Sequence, residues 1–198
     1  MHDQPSHREL DGQVCGLFAV DIAEFTQPRR DDDIQVYMHQ ALYRMLEAAF
    51  DKSGLPWSRC CHEDRGDGVL VVLPPALSVS SLIVVPDKLL PLIRFHNRVS
   101  CDAAQMELRA AVHIGLVHHD SHGFIGGDVN LLCRLLDSRQ LKQGLAEANT
   151  EIAVIASDYF YATVIRRQPS LTSPAQFRRL NVRVKETRAR AWTHLPGR

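Results

Sequence analysis

The sequence predicts an α+β sandwich in which one mostly antiparallel sheet is covered by helices. Three observations carry this. Strand-length apolar runs alternate with helical patterns in the order β-α-β-β-α-β-α-β-α-β, the last β being a hairpin. A tight-turn signal at Asp64-Arg65-Gly66-Asp67 joins two strands, and a second hairpin turns around Lys185-Glu186. The chain shows no internal repeat and no dividing linker, and 198 residues suit one domain. A domain of this size buries about 70% of its unfolded surface, so it needs no disulfide or metal to fold.

Each element has its own signal. Residues 1–12 read as a polar lead-in, and 13–198 as the single domain. Val14 to Val20 is almost wholly apolar, as a buried strand requires. It ends at Asp21. Asp31, Asp32 and Asp33 suit a helix N-terminus, where carboxylates meet free N–H groups. Ile34, Met38, Leu42, Met45, Leu46, Ala49 and Phe50 then keep helical spacing, and Gly54 stops the helix. Trp57 to Glu63 and Gly68 to Leu73 read as the two hairpin strands. Asp87 to Val99 reads as a helix, with Pro91 acceptable near its start. Glu107 to Val117 alternates, with Leu108, Ala110, Val112 and Ile114 on one face. His118 to Gly127 reads as a polar loop, followed by a helix from Asp128. Ile152 to Ala156 reads as a strand, Asp158 to Arg166 as a short helix, and Phe177 to Trp192 as the closing hairpin.

Composition narrows the function. Lys and Arg total 23 and so do Asp and Glu, so the formal net charge is zero. That argues against a general nucleic-acid or anionic-membrane binder, since both rely on positive charge. The polar N-terminus has no apolar signal-peptide core, and no run reaches the roughly 20 residues of a membrane span. The 5 cysteines include no C-x-x-C pair, which fits free thiols in a reducing cytoplasm.

Two carboxylates stand out. Asp21 ends the first strand, and Asp67 sits at the hairpin tip in Arg65-Gly66-Asp67-Gly68. In a split β-α-β-β arrangement the first strand pairs beside that hairpin, which can place the two close together. Aspartates at neighbouring strand ends suit Mg²⁺, a hard cation that takes few protein ligands and leaves the rest to phosphates and water. Taken alone, Asp67 also reads as a turn residue and Asp21 as a strand-end cap. Asn130 and Arg134 are four residues apart, hence on one helix face. An amide and a guanidinium near a helix start suit phosphate oxygens, although the spacing alone equally fits a solvated polar face. His113, His118, His119 and His122 straddle a strand and a loop without the spacing of a zinc site. Cys60 and Cys61 read as buried thiols. The arginines and Lys185 near the C-terminus read as solvated strand faces.

Together these segments resemble the catalytic domain of class III adenylyl/guanylyl cyclases. Val20-Asp21-Ile22-Ala23-Glu24-Phe25-Thr26 is similar to the family's first metal-binding motif, and Glu63-Asp64-Arg65-Gly66-Asp67-Gly68 to its second. Arg109 to Gly115 resembles the strand before the substrate loop, and Gly127 to Leu135 the Val-Asn-x-x-x-Arg helix. The four occur in the family's order and span about residues 14–194. The members most resembled are short stand-alone bacterial ones.

The resemblance implies a ferredoxin-like fold and a nucleotidyl cyclase that makes a 3′,5′-cyclic nucleotide and pyrophosphate. Asp21, Asp67 and the Ile22 carbonyl would hold two Mg²⁺ or Mn²⁺. Ala23 to Thr26, with Phe25 and Thr26 at the substrate, would wrap the triphosphate. Asn130 would orient the ribose, Arg134 would stabilise charge on the α-phosphate, and Lys185 lies where it could reach the phosphates. In this family the metal pair and the Asn/Arg pair come from opposite subunits, so a chain holding all four implies a homodimer with sites at the interface. A regulatory protein is a further partner the family allows.

The base-reading positions depart from the adenylyl pattern. Glu63 stands where adenylyl cyclases carry Lys and guanylyl cyclases Glu. Gly123 stands where Asp or Thr (for ATP) or Cys (for GTP) is usual, and offers no side chain. GTP or ATP is therefore favoured, with CTP or UTP as an alternative. A second alternative is an inactive cyclase-homology module that binds a nucleotide or a protein.

Overall fold

The computed structural model describes residues 7–197. In chain order the elements are β1 (Gln13–Ile22), α1 (Asp32–Lys52), β2 (Cys61–Asp64), β3 (Gly68–Leu73) and α2 (Val85–Val99). Then come β4 (Leu108–Asp120), β5 (Gly123–Ile125), α3 (Gly127–Leu136) and α4 (Arg139–Ala146). The chain closes with β6 (Ile152–Ser157), α5 (Asp158–Thr163), β7 (Arg178–Val184) and β8 (Thr187–His194). The strands form one sheet in the order β2-β3-β1-β4-β6-β8-β7, with β5 hydrogen-bonded to β4 off that path. Only the β4–β6 pair is parallel among the pairings described. This is the α+β, mostly antiparallel sheet that the sequence predicts.

Helices cover both faces, which explains why β1 is continuously apolar rather than alternating. Its Phe18, Val20 and Ile22 join α1, α2 and Phe160 of α5 in one core layer. Its Cys15, Leu17 and Ala19 join Leu132 and Leu135 of α3 and Leu141 and Leu145 of α4 in the other. In α1, Met38, Leu42, Met45, Leu46, Ala49 and Phe50 are buried as expected, while Ile34 is only partly so. Asp31 caps this helix by accepting from the Ile34 N–H at 3.0 Å, and Gly54 lies just beyond its end at φ 74°.

The structure corrects several boundaries. Trp57–Arg59 is a 3₁₀ turn, so β2 starts only at Cys61. Pro56 precedes that turn, the Trp57 N–H donates to Asp51 at 2.8 Å, and the Trp57 ring packs 5.2 Å from Phe50. The helix expected from Asp87 begins at Val85, which places Pro91 in its interior. Pro91 is exposed, so water can serve the Asp87 carbonyl that its missing N–H leaves unbonded. The expected loop from His118 to Gly127 instead extends β4 to Asp120 and folds back as β5. Within the expected lead-in, His7–Leu10 form a 3₁₀ turn and Leu10 is buried, while residues 1–6 lie outside the described residues. None of the 5 cysteines, all among the described residues, forms a disulfide. No helix among the described residues is long and apolar enough to cross a membrane.

Candidate active site

Sheet order brings the two carboxylates together. Asp21 pairs across the sheet with Gly68 of β3 on one side and Arg109 of β4 on the other. Gly68 is required there: a Cβ would stand 2.1 Å from the Val20 carbonyl and 2.8 Å from the Asp21 Cα. That close approach seats Asp67, the next residue back, beside the end of β1. The Ile22 N–H donates to the Asp67 carbonyl at 2.9 Å. The Asp21 and Asp67 side chains line one cavity of about 260 Å³, together with Arg65, Cys133, Leu136 and Asp137.

Arg109 clamps Asp21, with Nε 2.7 Å from Oδ1 and Nη2 2.8 Å from Oδ2. The pair is largely buried, 12% exposed at Arg109 and 14% at Asp21. Burial pushes the Asp21 carboxyl up to about 6; Arg109 opposes the rise and Asp67 adds to it. A carboxylate has roughly four acceptor sites, so two remain after Arg109. Among the described residues no group of three His, Cys, Asp or Glu side chains is placed to hold a metal. Two carboxylates with backbone carbonyls nevertheless fit Mg²⁺ or Mn²⁺, which complete their shells from phosphates and water.

Asn130 and Arg134 stand on α3, the helix whose Cys133 and Leu136 line the Asp21–Asp67 cavity. Val129, Leu132 and Leu135 bury one side of α3, leaving Asn130 exposed and Arg134 a quarter exposed. The Arg134 Nη2 stands 3.4 Å from Glu186 at the β7–β8 turn, where neighbouring Lys185 has φ 50°. Neither Asn130 nor Arg134 lines the Asp21–Asp67 cavity. The carboxylates and the Asn/Arg face, with the Lys185 turn beside it, are thus two separate groups of side chains.

The two positions expected to read the base meet. Glu63 Oε1 accepts from the Phe124 N–H at 2.6 Å, and Oε2 from Arg65 Nη2 at 2.7 Å. A Cβ on Gly123 would stand 2.4 Å from Glu63 Oε1, so glycine makes room for the carboxylate. Gly123 also has φ 126°, which a side chain would strain. With Asp64, Arg65, His119 and His122 these residues line a cavity of about 380 Å³.

No protein-family model matches the chain, and no curated protein does. Solved structures do. An adenylate/guanylate cyclase/hydrolase from Silicibacter pomeroyi is 19% identical, with TM-score 0.65, 93% of this chain and 97% of that one covered. The chain has the class III nucleotidyl cyclase fold. The cyclase fold recurs in the guanylate cyclase domain of RhGC from Catenaria anguillulae, solved with GTP, at 16% identity and TM-score 0.57, covering 92% of this chain and 96% of that one. It recurs again in the non-canonical dimeric guanylyl cyclase domain of the RhoGC fusion protein from Blastocladiella emersonii, at 16% identity and TM-score 0.58, with the same coverages of 92% and 96%.

Within this cyclase fold, the turn from Ala23 to Thr26 follows β1, with Phe25 packed on the core and Thr26 exposed. Arg30, 5% exposed, holds the turn by donating to the carbonyls of Ala23 (2.9 Å), Glu24 (2.7 Å), Gln105 (2.8 Å) and Ala103 (3.1 Å). Sequence reading passed over Arg30, whose partners are backbone carbonyls without a sequence signature. It also passed over the seat of α3. There Asp128 accepts from the Leu116 N–H at 2.7 Å and stands 3.2 Å from His113 Nε2, while His113 Nδ1 lies 2.7 Å from the Ser157 hydroxyl. Burial lowers the His113 pKa, and Asp128 opposes that shift. A further cavity of about 590 Å³ lies behind the Arg30 turn and is lined by none of the side chains expected to hold metal or base.

Proposed function

We propose that the protein is a metal-dependent nucleotidyl cyclase of the cytoplasm, converting a nucleoside triphosphate to a 3′,5′-cyclic nucleotide and pyrophosphate. The observation that carries this reading is the shared cavity of Asp21 and Asp67, set on a cyclase fold. The Asp21 and Asp67 carboxylates and the Ile22 carbonyl would hold Mg²⁺ or Mn²⁺, whose charge would offset that gathering on the phosphates. In the Ala23–Thr26 turn, rigidly held by Arg30, the Ala23 N–H is taken by the Glu107 carbonyl at 2.8 Å, and the N–H groups of Glu24 to Thr26 are the ones offered to the triphosphate. Asn130 orients the ribose, Arg134 meets the α-phosphate, and Lys185 lies beside them to reach the outer phosphates. Such chemistry is positioning and charge stabilisation, which needs no covalent intermediate.

The separation of the half-sites supports a symmetric homodimer, each chain lending Asn130 and Arg134 to the carboxylates of the other. A second reading, a nucleotide-binding module without turnover, draws on one observation: Arg109 engages both oxygens of Asp21. Incubating the protein with Mn²⁺ and each of ATP, GTP, CTP and UTP separates the two. We expect one cyclic product by mass spectrometry, lost in Asp67→Ala. No product from any of the four, with a folded dimer, overturns the cyclase reading.

A further inference from the structure

We propose that Arg65 is a specificity-determining residue, and that the Arg65–Glu63 pair together selects guanine. The inference rests on the nucleotide reading above and deepens it.

The pair is fixed in place before any ligand arrives. Arg65 lies in the β2–β3 turn, where its N–H donates to the Gly68 carbonyl at 2.9 Å. Asp64 holds the same turn, accepting from the Gly66 N–H at 2.7 Å, and is anchored to α1 by Tyr43 at 3.0 Å. The Glu63 carboxylate is gripped by Arg65 and the Phe124 N–H, in space left open by Gly123. Each Glu63 oxygen has one described donor and keeps acceptor capacity. The guanidinium has five N–H donors, and its side chain makes one hydrogen bond among the described residues. Arg65 also lines both cavities, the one with Glu63 and Gly123 and the one with Asp21 and Asp67. It therefore stands between the place for a base and the place for phosphates.

Side by side, Arg65 and Glu63 present a donor and then two acceptors. The Watson–Crick edge of guanine presents the complement: the O6 acceptor, the N1–H donor and the 2-amino donor. Adenine places an acceptor, N1, where the carboxylate needs a donor. Uracil matches two of the three positions and opposes the third. Cytosine opposes all three. Glu63 is shielded, at 15% exposed, so a base that leaves its carboxylate unpaired is rejected more strongly than a change of apolar shape. Arg65, at 45% exposed, adds a smaller preference. Arg65 thus supplies the O6 donor that position 123, being glycine, does not.

Equilibrium dialysis of the whole protein with Mg²⁺ tests this. The probes are GTP, ATP, CTP, UTP and 6-thioguanosine 5′-triphosphate, which keeps the N1–H and 2-amino donors and replaces O6 with sulfur, a poorer acceptor. Retention and cyclic product are read from the same vessel. We expect GTP to be held about fivefold or more over the 6-thio nucleotide, part of the worth of one charge-assisted hydrogen bond. In Arg65→Leu that gap closes, and Arg65→Lys restores part of it. A residue serving only to brace Glu63 would weaken both nucleotides equally and leave the gap, which overturns the proposal. Preference for another base overturns it too. GTP held without cyclic product leaves this inference standing and sinks the cyclase reading. No triphosphate held overturns both.

Discussion

At the scale of the residue, the charge balance around Asp21 decides how the site behaves. Arg109 and Asp21 are each shielded from water and bonded through two contacts. Removing one partner leaves the other charge buried and unpaired, which typically costs about 3–5 kcal/mol. Arg109→Ala is therefore expected to lower stability by about 3 kcal/mol in urea unfolding. A loss below about 1 kcal/mol would mean that water already screens the pair. Asp21 and Asp67 were legible in the sequence because a carboxylate at a strand end and a Gly-Asp turn are local signals. Arg109 as the partner of Asp21 was not, because it lies 88 residues from Asp21 and meets it only through strand pairing. Gly123 reads as a blank in the sequence, and only the approach of Glu63 explains it.

At the scale of the element, legibility followed length and period. The 21-residue α1 and the apolar β1 announce themselves, since many positions repeat one pattern. The 8-residue α4 shows only the Leu141–Leu145 pair and a Ser138 cap, and the 3-residue β5 is too short for any period. Both were missed, and β5 is the element that delivers the Phe124 N–H to Glu63. Helix α2 departs in another way, tolerating Pro91 in its interior because packing outweighs the lost hydrogen bond. Proline costs a helix interior about 3 kcal/mol relative to alanine, and Pro91 is exposed, so little packing is lost with it. Pro91→Ala is expected to raise stability by about 1–3 kcal/mol in urea unfolding. An unchanged or lower stability would mean that the ring sets the course of the helix.

At the scale of the molecule, strand order does what no single motif does. Placing β1 between β3 and β4 gathers the carboxylates, while α3 turns Cys133 and Leu136, but not Asn130 and Arg134, to their cavity. The central claim is that these half-sites meet across two copies of the chain. Mixing Asp67→Ala with Arg134→Ala tests it most directly, because each variant spoils both sites of its own homodimer. A one-to-one mixture makes half of the dimers mixed, each with one intact site of two, so cyclase activity should return to about a quarter of the wild-type value. A mixture as inactive as its components, with subunit exchange demonstrated, would contradict the account.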